Sequence, residues 1–508
     1  MKLASVILDI PTQALDAPYT YAVPEEAGDQ PIEVGCAVLV PFGPRQAVGF
    51  IIGIEERAED DWPAGLDPAK LKGIVRAVSR PYFDEEGAAC AQWLSERYIA
   101  PLSSCVRLFT PPGGVPRMVR AQGGYWRLEE PTVGEVDDRW VVPGPALADF
   151  EPRKNAVKQA SIAAALERGE LRVAELTAEF GAVSSPLKAL EKQGVVRIEH
   201  RRRMRGMAEG SAGSAPSADS AAVPSFTPSP KPPLTRGQAD ALAAIDAARS
   251  RGAGEVVLVD GVTGSGKTEV YLQAIEETLA AGRTACVLVP EISLTPQTVA
   301  RFRGRFGDLV AVMHSRMSQG ERYDQWDFIR SGAARVVVGA RSALFTPLSN
   351  LGLIVIDEEH EGSYKQDSAP RYHARDVAVW MARRAGAAVV LGSATPSIEA
   401  LHACAKNPSW HQVSLPERAN GKPLPEVQVV DMAKEFSGGS RSMFALPLAR
   451  ALEEELAAGR KAVLLLNQRG FAKFLLCREC GFVPECPSCS TSLTYHERGN
   501  FLICHHCG

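Results

Sequence analysis

The sequence predicts a multidomain α/β protein, and three features of the chain predict this class. Its 508 residues are too many for a single hydrophobic core and should form roughly three or four domains. From Leu234 onward, short apolar runs rich in β-branched residues alternate with helical segments, which is typical of a buried parallel sheet with helices on both faces. Ahead of that half, the pattern is first β-rich and then, from about residue 155, helical.

Composition argues against a membrane or secreted protein. The chain is 45% hydrophobic and 23% charged, as ordinary globular proteins are. Its longest apolar runs, such as Leu351 to Ile356 and Ala387 to Leu391, fall far short of the ~18 residues of a membrane span. Asp9 interrupts the short apolar stretch after Lys2, so no secretory signal is predicted. We therefore expect a cytoplasmic protein with no membrane partner.

The charge of the chain limits how it can bind nucleic acid. A net charge of -4 excludes a surface that is basic all over, so binding would need local basic patches. One basic run lies at His200 to Arg205. The run is either such a patch or a solvated linker, and the sequence favours neither.

Residues 1–108 are predicted to form a small β-rich barrel or sheet, closed by a helix around Glu85 to Tyr98. Turn residues separate short runs with strand composition. The predicted strands are Ala4 to Leu8, Tyr19 to Val23, Ala37 to Pro41 and Val48 to Ile54.

Residues 109–205 are predicted to form a winged-helix domain, because three short helices are followed by a strand. Its third helix would be able to enter a DNA groove, whereas a helical module for protein contact is the alternative. Residues 206–233 are rich in Gly, Ala, Ser and Pro and are predicted to be a flexible linker. The predicted helices are Gln159 to Arg168, Arg172 to Phe180 and Ser185 to Gln193, and the strand is Val195 to Ile198.

A nucleotide site is predicted where a strand, a glycine-rich loop and a helix follow one another. The strand is Glu255 to Asp260 and the helix Glu269 to Ala281. Backbone N–H groups of such a loop surround a phosphate, and the helix N-terminus adds positive charge. We expect Lys267 to pair with the β- and γ-phosphates of ATP and the Thr268 hydroxyl to hold Mg²⁺. The nucleotide-binding loop comprises Gly261, Val262, Thr263, Gly264, Ser265, Gly266, Lys267 and Thr268.

An acidic motif follows the apolar strand Leu353 to Ile356. The strand delivers Asp357 to the edge of the sheet, where its carboxylate can bind Mg²⁺ directly or through water. Glu358 is then placed to polarise the attacking water as general base. With Lys267, these two carboxylates are the predicted catalytic residues; an acidic loop without catalysis is the alternative.

Two further motifs fit ATP hydrolysis. The hydroxyls of Ser393 and Thr395 follow another buried strand and can link the γ-phosphate to a neighbouring lobe, and we group His360 of the acidic motif with them. Gln238 opens the fold, where its amide is able to read the edge of adenine. A solvent-facing glutamine at a helix start is the alternative.

The loop, the acidic motif, Gly392 to Pro396 and the later Asn467 to Phe471 resemble superfamily-two helicases. A closer resemblance is to the primosomal replication-restart helicases, the PriA family, and it extends over essentially the whole chain. The order of the domains is also similar. Further segments that carry the closer resemblance are Gly261 to Tyr271, Val289 to Gln297, Arg341 to Pro347, Tyr364 to Gln366 and Arg371 to Asp376.

This resemblance implies an ATP-dependent 3′-to-5′ DNA helicase that recognises stalled or abandoned replication forks and initiates primosome assembly. It implies a RecA-like helicase lobe at residues 234–412 and the start of a second lobe, with a zinc-binding insertion, at residues 413–508. The implied partners are branched and single-stranded DNA, other primosome proteins, the loader of the replicative helicase and the single-strand-binding protein.

The resemblance also implies DNA contacts in the first domain, which in this family holds the 3′ end of a nascent strand. The matching residues are Tyr19, Thr20, Tyr21 and Gly35. The family's best-known version has Asp where Thr20 stands, which puts the acidic contact in doubt. Aromatic rings suit stacking on a terminal base, but core packing is the alternative for both tyrosines.

The segment Glu361 to Asp376 resembles the aromatic-rich loop by which this family couples DNA contact to hydrolysis. Tyr364, Lys365, Arg371 and Tyr372 are its candidate DNA contacts, because aromatic and basic residues together suit single-stranded DNA. A packed surface loop is the alternative. Arg341 and Ser342 follow a buried strand where such lobes touch the DNA backbone, although Arg341 is also able to form an internal ion pair.

Six cysteines in three Cys-x2-Cys pairs predict zinc. Each such turn directs two sulfurs to one side and tetrahedral zinc needs two turns, so three pairs leave a remainder. His496, His505 and His506 are alternative ligands. By resemblance, the last two pairs bind one Zn²⁺, and the first pair shares a second Zn²⁺ with cysteines beyond residue 508. The cysteines are Cys477, Cys480, Cys486, Cys489, Cys504 and Cys507.

Relatives of this type place an arginine against the γ-phosphate from the second lobe, beyond residue 508. Such an arginine contributes roughly 10³–10⁵ in rate in comparable reactions. We therefore expect residues 1–508 alone to bind nucleotide weakly and to unwind little DNA. A double-strand translocase or restriction subunit, and an assembly platform that uses ATP only as a switch, are the competing functions.

Overall fold

The structure is a computed structural model that divides the chain into two units, Met1–Lys422 and Pro423–Gly508. No helix of the described residues has the length and apolarity to cross a bilayer. The predicted linker lies outside the described residues up to position 230, as does Asn467 to Phe471. The described residues are 1–10, 12, 15–24, 30–57, 71–121, 123–153, 155–205, 231–423, 425–439, 442–465, 477, 480, 482–489, 491–496 and 501–504.

The N-terminal domain is an antiparallel sheet covered by a helix. Its strands lie in the order β2-β1-β4-β3-β5, and helix α1 packs on one face through Leu94 and neighbouring small residues. The Asp84 carboxylate accepts a hydrogen bond from the Gly87 N–H and so caps α1. The elements are β1 (Lys2–Leu8), β2 (Tyr19–Ala22), β3 (Ala37–Phe42), β4 (Arg45–Glu56), β5 (Arg76–Ala77), α1 (Glu85–Tyr98) and α2 (Leu102–Val106).

The next domain packs three helices on a small antiparallel sheet of order β10-β8-β9. Its core holds Ile162, Leu176 and Leu187, one from each helix. This order of elements is the one expected of a winged helix, and DNA contact by α5 stays a prediction. The elements are β6 (Arg117–Arg120), β7 (Trp126–Glu129), β8 (Asp137–Pro143), α3 (Val157–Leu166), β9 (Leu171–Arg172), α4 (Val173–Phe180), α5 (Ser184–Lys192) and β10 (Val196–Arg202).

Within the described part of residues 231–422, seven parallel strands form one sheet of order β13-β14-β12-β15-β16-β11-β17. Apolar cores lie on both of its faces, which confirms the predicted α/β class. The elements are α6 (Arg236–Arg251), β11 (Val256–Gly261), α7 (Lys267–Ala280), β12 (Thr284–Leu288), α8 (Pro296–Phe306), β13 (Val310–Met313), α9 (Gln319–Arg330), β14 (Val336–Gly339), β15 (Leu351–Asp357), α10 (Ala374–Ala385), β16 (Ala388–Ser393), α11 (Ile398–Lys406) and β17 (Trp410–Leu415).

The boundary expected between residues 412 and 413 falls inside β17. This strand pairs in parallel with β11 along its whole length, from Trp410 to Leu415. Because the pairing continues the sheet, the first lobe extends past the expected boundary, to Lys422. The remaining unit contains α12 (Met432–Ser437), α13 (Leu446–Ala457), β18 (Thr494–His496) and β19 (Phe501–Ile503).

Two arginines of the basic run at His200 to Arg205 are paired within the chain, so the solvated-linker alternative is wrong for them, while DNA contact by the exposed Arg203 stays a prediction. Asp324 of α9 is fully buried and accepts hydrogen bonds from both Arg202 and Arg205. The Arg205 guanidinium is bidentate, with Nε and Nη2 at 2.7 and 2.9 Å from the carboxylate oxygens. Arg202 and Arg205 therefore attach the end of β10 to α9, because their charges are compensated by Asp324.

We predict that Asp324→Ala strongly destabilises this attachment. It would leave two partly buried guanidinium groups without their carboxylate, which costs about 3–5 kcal/mol for buried pairs. The free energy of unfolding in denaturant measures this cost. Glu129→Ala is the control, because its ion pair with Arg127 has both side chains exposed and should cost under ~1 kcal/mol. Equal costs for the two variants would contradict the prediction.

Candidate nucleotide, DNA and metal sites

The glycine-rich loop joins the end of β11 to the start of α7. Gly264 and Gly266 adopt φ values of 84° and 83°, which glycine reaches without strain. A Cβ on Gly266 would also lie 2.3 Å from Gln238 Nε2. The loop thus leads directly into the first turn of α7. The backbone N–H groups of that turn have no acceptor within the helix, so they favour binding of an anion.

Lys267 lies at the first position of α7 and is only 8% exposed. Its Nζ donates a hydrogen bond of 2.7 Å to the Gly261 carbonyl across the loop. This contact holds the ammonium over the loop, where a phosphate oxygen can replace the carbonyl as acceptor. Thr268 is half-buried beside it.

Gln238 is buried, with 4% exposure, so the solvent-facing alternative is wrong. Its Oε1 accepts from the Thr235 N–H, and its Nε2 donates to the Ser265 carbonyl at 2.8 Å. Both ends of the amide are therefore engaged with the helix cap and the glycine-rich loop. Reading adenine would require these bonds to rearrange, and that role stays a prediction.

The acidic motif begins at the end of β15. Burial, and secondarily the charge of Glu358, raises the pKa of Asp357, while a hydrogen bond from the Tyr271 hydroxyl and the charge of Lys267 act in the opposite sense. Because β11 and β15 are parallel strands of one sheet, Lys267 after β11 and Asp357 at the end of β15 lie at the same edge of that sheet. Glu358 has φ of 47°, a left-handed conformation that costs a non-glycine residue about 1–3 kcal/mol.

Tyr271 is a site residue that motif reasoning missed. It lies in α7 one turn after Lys267 and is 1% exposed. Its hydroxyl donates a hydrogen bond to Asp357 Oδ1 at 3.1 Å. A Cβ at position 392 would lie 1.5 Å from that hydroxyl. Gly392 therefore leaves the space that the tyrosine fills, and the only sequence signal for Tyr271 is its place in the segment Gly261 to Tyr271.

The structure brings the three predicted coupling residues together. His360 Nδ1 lies 2.7 Å from Ser393 Oγ, and the same oxygen accepts from the Thr395 N–H at 3.0 Å. The acidic motif and the end of β16 are therefore in direct hydrogen-bond contact.

Glu359, also missed from the sequence, has a fully buried side chain. Its carboxylate accepts from the Ser397 N–H at 2.6 Å, the Ser397 hydroxyl at 2.9 Å and Arg375 Nη1 at 3.2 Å. These partners compensate a charge that would otherwise be costly to bury. The acidic motif is thereby attached to the starts of α10 and α11.

The aromatic residues expected to stack on DNA are packed instead. Tyr364 and Tyr372 are each 1% exposed. The Tyr364 hydroxyl donates towards the backbone carbonyls of Leu288 and Asp357, and the Tyr372 ring packs edge-on against Phe345. This supports the packed-loop alternative for these two rings, since stacking on a base would require the segment to open.

The charged residues of the same region differ in their exposure. Lys365 and Arg371 are exposed, so they remain candidates for DNA contact. Arg341 donates from Nη1 to the carbonyls of Ser363 and Lys365 at 2.8 and 2.6 Å. It therefore braces the segment through backbone carbonyls rather than through the ion pair that we considered.

A cavity of about 310 Å³ lies at the carboxyl ends of β12, β13 and β14. Ligands of open α/β sheets bind in such crevices. Residue Thr110 and its neighbours extend the wall from the N-terminal domain. Polar lining residues are Glu291, His314, Ser315, Arg322, Arg341 and Ser342.

In the N-terminal domain, the predicted 3′-end residues separate into two groups. Tyr21 is 4% exposed and its hydroxyl donates to the Pro41 carbonyl, and Gly35 is buried with φ of 88° against the Phe83 backbone. Both residues are packed in the domain, which agrees with the core-packing alternative for Tyr21. Tyr19 and Thr20 are half-buried and remain candidates for contact.

Three of the six cysteines converge. The sulfurs of Cys486, Cys489 and Cys504 all lie within 4.8 Å of one another, close to the ~3.8 Å that tetrahedral zinc with ~2.3 Å bonds requires. Cys507 lies outside the described residues. Cys477 and Cys480 are exposed. The backbone N–H of Cys477 donates to the carbonyl five residues later, and the N–H of Cys486 does the same, so the two cysteines begin similar turns. The donor set fits zinc.

Comparisons with known families divide the chain in the same way. A family profile for the PriA 3′DNA-binding domain (3′BD) matches residues 5–111. The DEAD/DEAH box helicase profile matches residues 235–403, and the PriA DNA helicase Cys-rich region (CRR) domain matches residues 486–508. The chain therefore carries a helicase domain and a zinc-ribbon region.

Curated relatives match from end to end. The replication restart protein PriA of Bacillus subtilis is 36% identical over 100% of this chain and 67% of its own length. The protein of the same name from Synechocystis is 35% identical over 99% of this chain and 66% of its own length. The chain thus spans about two thirds of these relatives.

Solved structures match more weakly. RecG bound to a three-way DNA junction is 23% identical over 38% of this chain and 25% of that chain, with a TM-score of 0.28. A superposition this weak carries no argument about function.

We predict that Gly392→Ala destabilises the lobe, because the new methyl group would collide with the Tyr271 hydroxyl. Overpacking of this kind typically costs about 1–3 kcal/mol. Gly362→Ala is the control, since a Cβ there meets nothing within 4 Å. Thermal unfolding should show a lowered midpoint for the first variant only.

A double-mutant cycle tests the same contact. Adding Tyr271→Phe to Gly392→Ala should cost less than the two single changes together, because the colliding hydroxyl is gone. Strict additivity would show that the collision lies elsewhere.

We also predict that Cys504→Ser removes one equivalent of zinc. Loss of a thiolate opens the tetrahedral site. Zinc released from the denatured protein, titrated with a colorimetric chelator, measures the change. Cys404→Ser in α11 should leave the zinc content unaltered, and an unaltered content in Cys504→Ser would refute this ligand set.

Proposed function

This chain belongs to the replication restart protein PriA family, and on that premise we propose that it is an ATP-dependent 3′-to-5′ DNA helicase that recognises stalled or abandoned replication forks and initiates primosome assembly. Because it spans about two thirds of its relatives, the activity of the whole protein is part of the proposal. We place it in the cytoplasm, where its DNA substrate lies.

One observation carries the proposal. Tyr271, which lies in α7 directly after the glycine-rich loop, donates a hydrogen bond to Asp357, the first residue of the acidic motif. This bond supports the proposal because it joins the helix that follows the glycine-rich loop to the acidic motif, and ATP hydrolysis requires these two segments to lie together. A platform that only binds nucleotide would not need Glu358 held at this position in a strained backbone.

Each residue of the cleft has a role in this proposal. Lys267 exchanges the Gly261 carbonyl for the β- and γ-phosphates, and Glu358 takes the proton of the attacking water. Mg²⁺ would be held by Thr268 and Asp357 and would neutralise charge on the phosphates. The bond between His360 and Ser393 then reports the state of the γ-phosphate to the rest of the lobe.

Single-stranded DNA is proposed to cross the carboxyl ends of β12, β13 and β14. Arg341, Lys365 and Arg371 border this path. Tyr19 and Thr20 are proposed to meet the 3′ end of a nascent strand. Two Zn²⁺ ions, one of them on the converging cysteines, complete the cofactors. Other primosome proteins, the helicase loader and the single-strand-binding protein are the proposed partners.

We predict that Glu358→Gln lowers ATP turnover by about 10²–10⁴, the usual contribution of a general base, with little change in nucleotide affinity. Glu361→Gln removes a carboxylate three residues later and should stay within about twofold of the parent. Steady-state turnover with DNA and binding of a fluorescent ATP analogue separate the two effects. Undiminished turnover in Glu358→Gln would assign the base to another residue.

Strand displacement tests the fork specificity. The full protein, including any sequence beyond residue 508, is given forks whose nascent strand ends at the branch in a 3′ hydroxyl or a 3′ phosphate. Faster unwinding of the hydroxyl fork is expected. Equal rates, with unwinding of blunt duplex, would instead support the double-strand translocase.

A further inference from the structure

Helices α1 and α10 lie side by side and antiparallel, one from each of two domains. Glu86 at the start of α1 bonds Arg384 at the end of α10, with Oε1 and Nη2 2.9 Å apart. In the middle, the rings of Trp93 and Trp380 stack at 5.3 Å. The N-terminal domain thus touches the lobe along a whole helix, about 21 Å for 14 residues.

At the other end of α1, Tyr98 bonds the first turn of α10. Its hydroxyl donates to Asp376 Oδ2 and accepts from the His373 N–H, both at 3.2 Å. Lys365 Nζ lies 5.2 Å from the centre of the Tyr98 ring, a cation–π distance. One side chain of the N-terminal domain therefore contacts both the start of α10 and the segment that precedes it.

The same turn of α10 holds the acidic motif from its other side. Between His373 and Asp376 lies Arg375, which bonds both Glu359 and Ser397. Glu359 is the immediate neighbour of the general base Glu358. Residues 373–376 are therefore fixed by the N-terminal domain at two positions and by the nucleotide site at the position between them.

Helix α1 is also fixed to the sheet that carries the candidate 3′-end residues. Leu94 packs in one core with Ile7 and Phe50 of β1 and β4, and β1 pairs with β2, which holds Tyr19 and Thr20. A change at β2 can therefore shift α1 as a rigid body, since packed elements move together.

We propose that Tyr98 is a positioning residue that transmits occupancy of the N-terminal domain to the ATP site through the first turn of α10. This inference rests on the proposed function, because it presupposes that a DNA end binds the N-terminal domain. Tyr98 touches neither nucleotide nor the acidic motif directly. It acts by fixing His373 and Asp376, and with them Arg375 and Glu359.

The test compares ATP turnover of the full protein without DNA, with 3′-hydroxyl forks and with 3′-phosphate forks. The ratio of the two fork rates is the readout. In Tyr98→Phe the ring packing is kept and the two hydrogen bonds are lost, so the ratio should fall by at least about two- to tenfold, which is the effect expected from one of the two bonds alone. Turnover without DNA should be unchanged.

Tyr82→Phe is the matched control. It removes the hydroxyl of a different tyrosine of the same domain, which is buried and donates to the Gly114 carbonyl and not to α10. Its fork ratio should equal that of the parent. A parent-like ratio in Tyr98→Phe, or an equal loss in every state together with a lower melting temperature, would overturn the positioning role. If the parent protein hydrolysed ATP equally fast with both forks, 3′-end recognition itself would be refuted, and with it the transmission through Tyr98.

Discussion

The nucleotide site depends on one packed contact, the Tyr271 ring between helix α7 and the acidic motif. Its hydroxyl bonds Asp357 and occupies the space that Gly392 leaves without a side chain. Because the interior is closely packed, displacement of any one of these three segments disturbs the others. The start of α7, the acidic motif and the end of β16 are thereby held in one geometry.

Buried charge connects this site to the rest of Met1–Lys422. Glu359 and Asp324 have no exposed side-chain surface, and arginines from other elements compensate both. A buried carboxylate that is hydrogen-bonded to an arginine is costly to separate from it, so each pair specifies which surfaces meet. Asp324 thus connects the end of the winged-helix-like domain, and Glu359 the starts of α10 and α11.

The segment between the acidic motif and α10 gains its order from packing rather than from DNA. Tyr364 bonds the end of two strands, and Arg341 braces neighbouring carbonyls. The segment is held by Tyr364 and Arg341 within its own lobe and contacts Tyr98 of the N-terminal domain, so it has few independent conformations. Such a connection suits a lobe whose ATP site responds to events in another domain.

The amino-acid pattern was enough to predict the class of the fold and to locate the glycine-rich loop, the acidic motif and the paired thiols. Backbone amides of a glycine-rich loop, a carboxylate after an apolar strand and paired thiols act through local geometry, which short motifs encode. The contacts of Arg205 and Tyr98 became visible only in the folded chain, because their partners lie 119 and 278 residues away. It also decided that Tyr364 and Tyr372 are core residues, because burial depends on which surfaces pack together and composition does not reveal it.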